Sequence, residues 1–365
     1  MKKIFYDASL AFKSERGMAK FVRNLVLEIH LRSDSRIVGL VNISSSKSDV
    51  RYLFLGKTNP IFWEQVVLPF FLRRTKPEDV MIFPYNTAPI VFPFRAKKIL
   101  VVHDLIFMES FQNLKRSNSL KQNIGRIYRK FVVPKVIKNA DLIITVSNFS
   151  RSQIAEKFNI EMDKIVVIPN TVDPIYKRTV GNDPSTGKQY IFNVSGEAPH
   201  KNLESLINAY SLLPNEIRSK YDLVILGVTS SESRKFFNMK ISDLGLQGKI
   251  KLLSKVSDTE AKSLYENASC FVFPSLHEGF GIPLLEAMSC DCAITCSNTS
   301  CLPEIAGNAA LYFNPYSEAD IAQKITKVLS DCRLADSLRL NGRLQLEKYN
   351  YHAFSKAVDD LVQML

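Results

Sequence analysis

Nowhere in its 365 residues does the chain run through the roughly 18–20 consecutive apolar residues that a membrane span requires, which excludes an ordinary transmembrane helix. A Gly-x4-Gly-Lys phosphate loop is absent and no Ser-His-Asp set stands out, which sets aside P-loop nucleotide hydrolysis and serine-hydrolase chemistry. Cysteine is scarce outside one stretch. Five of the six (Cys270, Cys290, Cys292, Cys296 and Cys301, with Cys332 beyond) fall in a short interval, yet no Cys-x2-Cys pair occurs and only His277 lies near. Zinc sites show tighter pairs. These thiols therefore read as small hydrophobes in apolar strands and helices, kept reduced as in a cytosolic protein. There is a single tryptophan, Trp63, beside 23 Phe and 13 Tyr. The N-terminal MKKIFYDAS has a basic start, but Asp7 breaks its apolar run almost at once, so a first strand is expected there rather than a signal peptide.

Charge is abundant but uneven. The net charge is +12. Residues 1–175 hold 28 Lys and Arg against 15 Asp and Glu, whereas residues 176–365 hold 20 against 21, so the whole excess lies in the first half. Such asymmetry implies a polyanionic partner, either nucleic acid or an anionic membrane surface. No nucleic-acid-binding motif accompanies it.

Apolar runs alternate with helical patterns throughout. In the first half KKIFYDAS, RIVGLVNI, DVMIFPYN, KKILVVHDLIF, DLIITVSNFS and KIVVIPNTVD read as strands. Residues 18–31 read as a helix, with Phe21, Val22, Leu25, Val26, Leu27 and Ile29 as its apolar cluster, and 119–139 as a basic helix kinked at Pro134. The pattern stops between Asp173 and Lys188, where Pro174, Gly181, Pro184 and Gly187 mark a linker. It then restarts with QYIFNVSG, YDLVILG, KIKLLSKV, CFVFPS, CAITCSN and AALYFNP as strands between helices. Strands alternating with helices predict α/β architecture with doubly wound parallel sheets. The expected division is a Rossmann-like domain at 1–173, a linker at 174–188, a second Rossmann-like domain at 189–350 and a C-terminal helix at 351–365 packing back on the first domain. Ligands in open α/β sheets bind beyond the carboxyl ends of strands, here in a central cleft.

The segment 270–288, CFVFPSLHEGFGIPLLEAM, is the strongest chemical signal. A buried strand ends in a loop holding Glu278, Gly279, Phe280 and Gly281, and Pro283 suits the start of a helix. Glycines admit a ligand to the backbone, and free amides at a helix start bind phosphate. Glu278 and Glu286, the latter expected in the first helical turn, suit the hydroxyls of sugar and ribose, since each carboxylate accepts two hydrogen bonds from a diol. Taken singly, Glu286 reads as a complement to the helix dipole and Glu278 as a solvated loop residue.

Glu278-x7-Glu286 with GFGIP resembles the signature of retaining glycosyltransferase family 4, which has the GT-B fold, and the resemblance extends over nearly the whole chain. VSGEAPHKNLESLINAY is similar to the family's first C-domain strand, loop and helix. VVHDLIF, ITVSNFSRSQI, VVIPNTVD and NTSCLPEIAGNAALYFNP are similar to further landmarks. The resemblance implies that Lys201 binds the donor diphosphate and that Glu286 holds ribose. It further implies that Glu278 holds the transferred sugar, that His103 lines the sugar site, and that Gly279, Phe280 and Gly281 offer backbone groups. Gly196 and His200 belong to the phosphate loop, and Thr299, Ser300 and Leu302 approach the phosphates. It also implies transfer of a hexose with an α-linkage, without metal or other cofactor, to a glycan or lipid-linked oligosaccharide in O-antigen or capsule assembly. The PHKNL loop is similar to that of mannosyltransferase-like members, implying mannose from GDP-mannose.

The chain departs from this pattern in two places. Many relatives carry an Arg beside or before the Lys, where Glu197, Ala198, Pro199 and His200 stand here. The N-terminal loop, Gly-rich in relatives, is Arg16-Gly17-Met18-Ala19-Lys20, whose two cations point either to acceptor or phosphate, or simply to solvent. The basic half offers Arg73, Arg74 and Lys76, then Arg95, Lys97 and Lys98, then Lys121, Arg126, Arg129 and Lys130. The resemblance turns this domain toward the acceptor. The expected setting is cytoplasmic, peripheral at the inner face of the membrane, with FWEQVVLPFFLRR (62–74) as the contact segment or, alternatively, a core helix with a solvated end. A GT-B epimerase, a catalytically degenerate GT-B partner subunit and a polyanion-binding protein are the competing readings.

Overall fold

The computed structural model describes residues 2–9, 11, 17–33, 35–41, 51–56, 58–91, 94–109, 120–179 and 189–365. Its chain divides into two compact units. One gathers Met1–Met108, Ile124–Asn170 and His352–Leu365, and the other is built on Thr171–Tyr351.

The first unit holds a seven-stranded sheet. Its strands are β1 (Lys3–Asp7), β2 (Arg36–Val41), β3 (Arg51–Phe54), β4 (Val80–Phe83), β5 (Lys97–Val101), β6 (Leu142–Thr145) and β7 (Ile165–Val167). The order is β3-β2-β1-β4-β5-β6-β7 and every pairing is parallel. Parallel strands covered by helices on both faces must be apolar throughout, and β4 and β6 are buried at every position. Trp63, Leu68 and Leu72 pack with Phe83, Leu100 and Ile143 in the core beneath the sheet. Edge strand β3 carries too short a pattern to be read from the sequence.

The helix Met18–Arg32 buries Phe21, Val22, Leu25, Val26 and Ile29. Leu27 does not join them as expected but stands 48% exposed. At about 100° per residue it lies on the face opposite Leu25. The basic helix spans Leu120–Val136 with Pro134 inside it, and gives way at once to a 3₁₀ turn at Ile137–Asn139. The C-terminal helix Tyr351–Met364 buries Phe354, Val358 and Leu361. Phe354 meets the edge of Phe21 at 6.3 Å, and Arg32 pairs with Asp359.

The second unit holds β8 (Tyr190–Val194), β9 (Asp222–Leu226), β10 (Ile250–Leu253), β11 (Cys270–Phe273), β12 (Ile294–Ser297) and β13 (Ala310–Phe313). They form a parallel sheet ordered β10-β9-β8-β11-β12-β13. The strand order reverses direction at β8, so the loops after β8 and β11 lie side by side at the topological switch point, where doubly wound sheets bind ligands. The loops after β8 and β9 are also locked together: a Cβ on Gly227, at φ +114°, would stand 1.8 Å from the Ser195 carbonyl oxygen. Any side chain there would push the two loops apart. Among the described residues no helix is long and apolar enough to cross a membrane.

Candidate functional site

Three loops converge at the carboxyl edge of β8, β11 and β12, which are neighbours in the sheet. After β8 comes the 3₁₀ turn Pro199–Lys201, after β11 the loop to the helix Ile282–Ser289, and after β12 the loop to the helix Leu302–Ala306. Lys201 Nζ donates to Glu278 Oε1 at 2.7 Å and sits 5.8 Å from the centre of the Phe273 ring. Glu278 is only 9% exposed, so it is a buried, paired carboxylate rather than a solvated loop residue. Burial would push its carboxyl upward, but the Lys201 ammonium and the nearby His200 outweigh that and hold it below the ordinary carboxylate range. Such a pair keeps an ammonium and a carboxylate charged and aimed at one spot, ready to separate onto a ligand that carries both phosphate and hydroxyls.

The Thr299–Leu302 segment, expected at the donor phosphates, braces this loop. Ser300, at φ +53°, accepts from the Glu278 amide at 3.1 Å through its hydroxyl. Thr299 donates to the Leu276 carbonyl at 3.1 Å, and the Leu276 amide donates to the His200 carbonyl at 2.7 Å. The buried Cys301 thiol reaches the carbonyls of both Glu278 (3.3 Å) and Phe280 (3.2 Å). The single thiol hydrogen is shared between those two carbonyls, and the Phe280 ring turns inward against Tyr349 at 5.5 Å. Leu302 is buried at the start of its helix, and its side chain would meet a Cβ on Gly281, at φ +98°, at 3.1 Å. Around Gly196, by contrast, the space is open.

Two expectations about the helix need correction. It begins at Ile282, so Pro283 is its second residue and Glu286 its fifth, one residue further in than expected and just past the first turn. Pro283 has no amide hydrogen and the Leu284 amide donates back to Gly281 at 2.9 Å, so fewer free amides face a phosphate than the glycine-rich sequence suggests. Glu286 consequently reaches a different neighbour from Glu278. Its Oε2 accepts from the hydroxyl of Tyr265 at 2.8 Å, from the helix Asp258–Glu266.

Tyr265 and Glu197 escaped the sequence reading. Nothing in DTEAKSLYENA distinguishes Tyr265 from any other core aromatic. Glu197 stands where relatives carry a cation, and the structure gives it a different task. Its carboxylate accepts from the backbone amides of Thr229 and Ser230 and from the hydroxyls of Thr229 (3.0 Å), Ser230 (2.6 Å) and Ser233 (3.0 Å). It thus ties the loop after β8 to the two residues that precede the helix Ser231–Asp243, whose N-cap is Ser230. Although burial opposes the charge, these bonds together hold its carboxyl down at about 2.

In the first unit His103 follows β5. Its amide donates to Asn86 Oδ1 at 2.7 Å, and Nε2 lies 3.0 Å from the Pro84 carbonyl, which fixes the proton on Nε2. The ring meets the edge of Phe21 at 5.2 Å. Burial lowers its pKa and keeps it neutral, against the opposing pull of the Pro84 carbonyl and Asp104. Gly17, exposed at φ +63°, precedes the helix that carries the half-buried Lys20, and Arg16 lies outside the described residues. Among the described residues no three His, Cys, Asp or Glu side chains cluster as a metal site requires.

Two family models divide the chain. "Glycosyltransferase Family 4" matches residues 47–175 and "Glycosyl transferases group 1" matches residues 180–345. The chain belongs to the GT-B glycosyltransferases. It is 34% identical over 223 residues to O-antigen chain mannosyltransferase B of Escherichia coli, covering 59% of this chain and 58% of that protein. Over 232 residues it is 31% identical to O-antigen chain mannosyltransferase RfbU of Salmonella typhimurium, covering 62% and 59%. The serotype-specific mannosyltransferase WbdA of Escherichia coli is 29% identical over 268 residues, covering 70% of this chain but 32% of WbdA. The matched region thus spans less than two thirds of each of these relatives. Among solved structures, the fold is similar to sucrose-phosphate synthase from Thermosynechococcus elongatus (TM-score 0.76, 16% identity, 100% and 99% covered). It is equally similar to WaaG, a glycosyltransferase involved in lipopolysaccharide biosynthesis (TM-score 0.75, 13% identity, 98% and 99% covered).

Proposed function

We propose that the chain is a retaining hexosyltransferase that carries mannose from GDP-mannose, with an α-linkage, onto a glycan or lipid-linked oligosaccharide in surface-polysaccharide assembly. The observation that carries this reading is the Lys201–Glu278 pair, 2.7 Å apart at the topological switch point. On donor binding the Lys201 ammonium turns to the diphosphate and Glu278 accepts from sugar hydroxyls, while Glu286, steadied by Tyr265, accepts from the ribose diol. The bond between the anomeric carbon and the diphosphate breaks as the acceptor oxygen bonds to that carbon from the same face, which retains its configuration, and the acceptor's proton passes to the departing diphosphate oxygen. The negative charge growing on the leaving diphosphate is met by Lys201. That cation serves where other enzymes use a metal, so activity is expected to survive EDTA. His103 is the first unit's proposed contribution, a neutral imidazole whose Nε2–H is held by the Pro84 carbonyl and whose Nδ1 is the acceptor for a sugar hydroxyl. The names of the relatives, mannosyltransferases of O-antigen chains among them, support mannose as the sugar.

Peripheral attachment to an anionic membrane is part of the same proposal. The helical run of Pro60–Phe62, Trp63–Val67 and Leu68–Leu72 buries Trp63, Leu68, Pro69 and Leu72 but leaves Ile61, Phe62, Val66 and Phe70 exposed. Arg73 and Arg74 follow it. An apolar face ending in cations suits an interfacial helix.

The deciding experiment compares thermal stabilisation by GDP, UDP, dTDP and ADP for wild type and Glu286→Ala. A nucleotide at about 100 times its dissociation constant adds about 2.7 kcal/mol, a shift of several degrees. Stabilisation by GDP, lost in the variant, is the expected result. Indifference to all four would leave the basic first half as the main functional feature and make polyanion binding or a degenerate partner subunit the better reading.

A further inference from the structure

At the opposite edge of the first sheet, where its strands begin, lies a cavity of about 460 Å³ that the transfer chemistry does not use. Lys3 and Arg36 are the first residues of β1 and β2 and lie directly opposite each other in register. The two-residue period of a strand puts Phe5 and Val38 on the same face, one step inward. Phe71, which meets Phe5 edge to face at 5.8 Å, and Arg74 close the cavity from the end of the helical run. The result is an apolar floor with three cations at its mouth.

Those cations are not spent on the fold. Among the described residues none of Lys3, Arg36 and Arg74 engages another through its side chain in a hydrogen bond or ion pair. The acidic residue at this edge, Asp79, is already used, since its two carboxylate oxygens accept from the backbone amides of Lys3 (3.0 Å) and Lys76 (2.9 Å). Three like charges around one opening repel one another, and a bound anion relieves that repulsion. Two guanidinium forks and an ammonium match the oxygens of a phosphate, and the apolar floor matches the organic group that a phosphate ester carries. The volume falls within the range of small-molecule sites.

We propose that this cavity is a second binding site, for a phosphate ester. The phosphate lies among Lys3, Arg36 and Arg74, and the organic part rests on Phe5, Val38 and Phe71. The ester is either the headgroup of an anionic phospholipid or a soluble metabolite. The proposal stands on this edge alone and is independent of the transferase reading, because its readout is binding.

The test uses the full chain as wild type, as Arg36→Ala/Arg74→Ala, and as Arg95→Ala/Lys138→Ala. The last removes the same charge from residues that do not line the cavity. Binding of sn-glycerol 3-phosphate is followed by calorimetry. Binding to mixed phosphatidylglycerol–phosphatidylcholine vesicles, against pure phosphatidylcholine, is followed by sedimentation. All four arginine and lysine positions are surface residues, so unchanged melting is expected and is checked. The expected result is a loss of at least about tenfold in affinity for the cavity variant and less than about twofold for the charge-matched control. A loss seen with the soluble ester identifies a metabolite-sized ligand, and a loss confined to vesicles identifies the lipid headgroup. Equal losses in both variants, or no binding of either probe by wild type, would overturn the proposal.

Discussion

Tyr265 donates its phenolic hydrogen to Glu286 across 2.8 Å, from inside the core of the second unit to a half-buried carboxylate beside the candidate donor site. The Tyr265 ring is fully buried and packs edge to face on Phe192 at 4.9 Å, so its hydroxyl cannot swing away. Burial, reinforced by the Glu286 charge, raises the Tyr265 pKa well above its ordinary value and keeps the phenol a donor at every working pH. Tyr265→Phe removes only the hydroxyl and frees the carboxylate to rotate. The expected effect is a rise in donor KM of about 3- to 30-fold with kcat nearly unchanged, the pattern of a lost positioning contact worth about 1–2 kcal/mol. Steady-state kinetics with GDP-mannose checks it, and an unchanged KM would remove Tyr265 from the site.

Lys201→Met tests the ion pair from its other end. The substitution keeps the length of the side chain and leaves Glu278 without its cation. Glu278 is buried and its folded pKa lies below the ordinary value, so the pair stabilises the fold above the unfolded carboxylate range. That share is lost as pH falls through the folded value. Wild type should therefore lose stability on acidification more steeply than Lys201→Met, whose Glu278 carboxyl is pushed up by burial and protonates sooner. Breaking a well-buried pair costs about 3–5 kcal/mol, and the partial exposure of Lys201 reduces this to about 1–3. Turnover should fall by about a hundredfold or more as stabilisation of the leaving diphosphate is removed. Urea titrations of both proteins from pH 3 to about 7 check the stability claim, and single-turnover kinetics checks the rate.

The α/β architecture was legible because parallel strands are apolar along their length, whereas most of the expected linker, 180–188, lies outside the described residues. Glu278 was legible because glycines and a proline surround it at the end of an obvious strand. What could not be read is who pairs with whom. Tyr265 lies 21 residues before Glu286 on another helix, and Ser300 and Cys301 brace the Glu278 loop from beyond the next strand. Contacts of that kind depend on strand order, which a single sequence does not encode locally. The misplacement of Glu286 has a simpler origin. The helix start was read from its proline, whereas the helix begins one residue earlier at Ile282, which takes Glu286 out of the first turn.

Glu197→Ala should uncouple the loop after β8 from the helix that follows β9. Five hydrogen bonds end on this carboxylate, so its removal leaves the helix Ser231–Asp243 with only its Ser230 cap. The loss of these loop-anchoring bonds costs about 1 kcal/mol net, a drop in Tm of a few degrees. Because the carboxyl is held at about 2, its contribution is fully present above the unfolded carboxylate range and is lost progressively as pH falls from there through about 2. The Tm difference between wild type and variant should accordingly stay constant from neutral pH down through mild acid. Donor KM should rise as well, since the loop that carries Lys201 loses its anchor. A drop in Tm with unaltered KM would confine Glu197 to a structural role.

His103 gives the sharpest dependence on pH. Burial lowers its folded pKa below the ordinary 6.5, while the unfolded chain titrates near that value. Between the two values the unfolded chain binds the proton that the folded one refuses. Stability therefore rises with pH through this window, is fully present above the unfolded value, and falls away as pH drops toward the folded one. In His103→Gln that slope should disappear, because glutamine does not titrate. Its amide can still donate toward the Pro84 carbonyl, so the fold itself should hold at neutral pH. If the neutral imidazole also accepts from the donor sugar at Nδ1, kcat in the wild type should fall on acidification with the same apparent pKa that proton NMR reports for this ring. Glutamine, whose amide oxygen accepts without a pKa, should retain part of the rate and lose that acid limb. An acid limb that persists unchanged in His103→Gln would assign it to another group and leave His103 a structural residue.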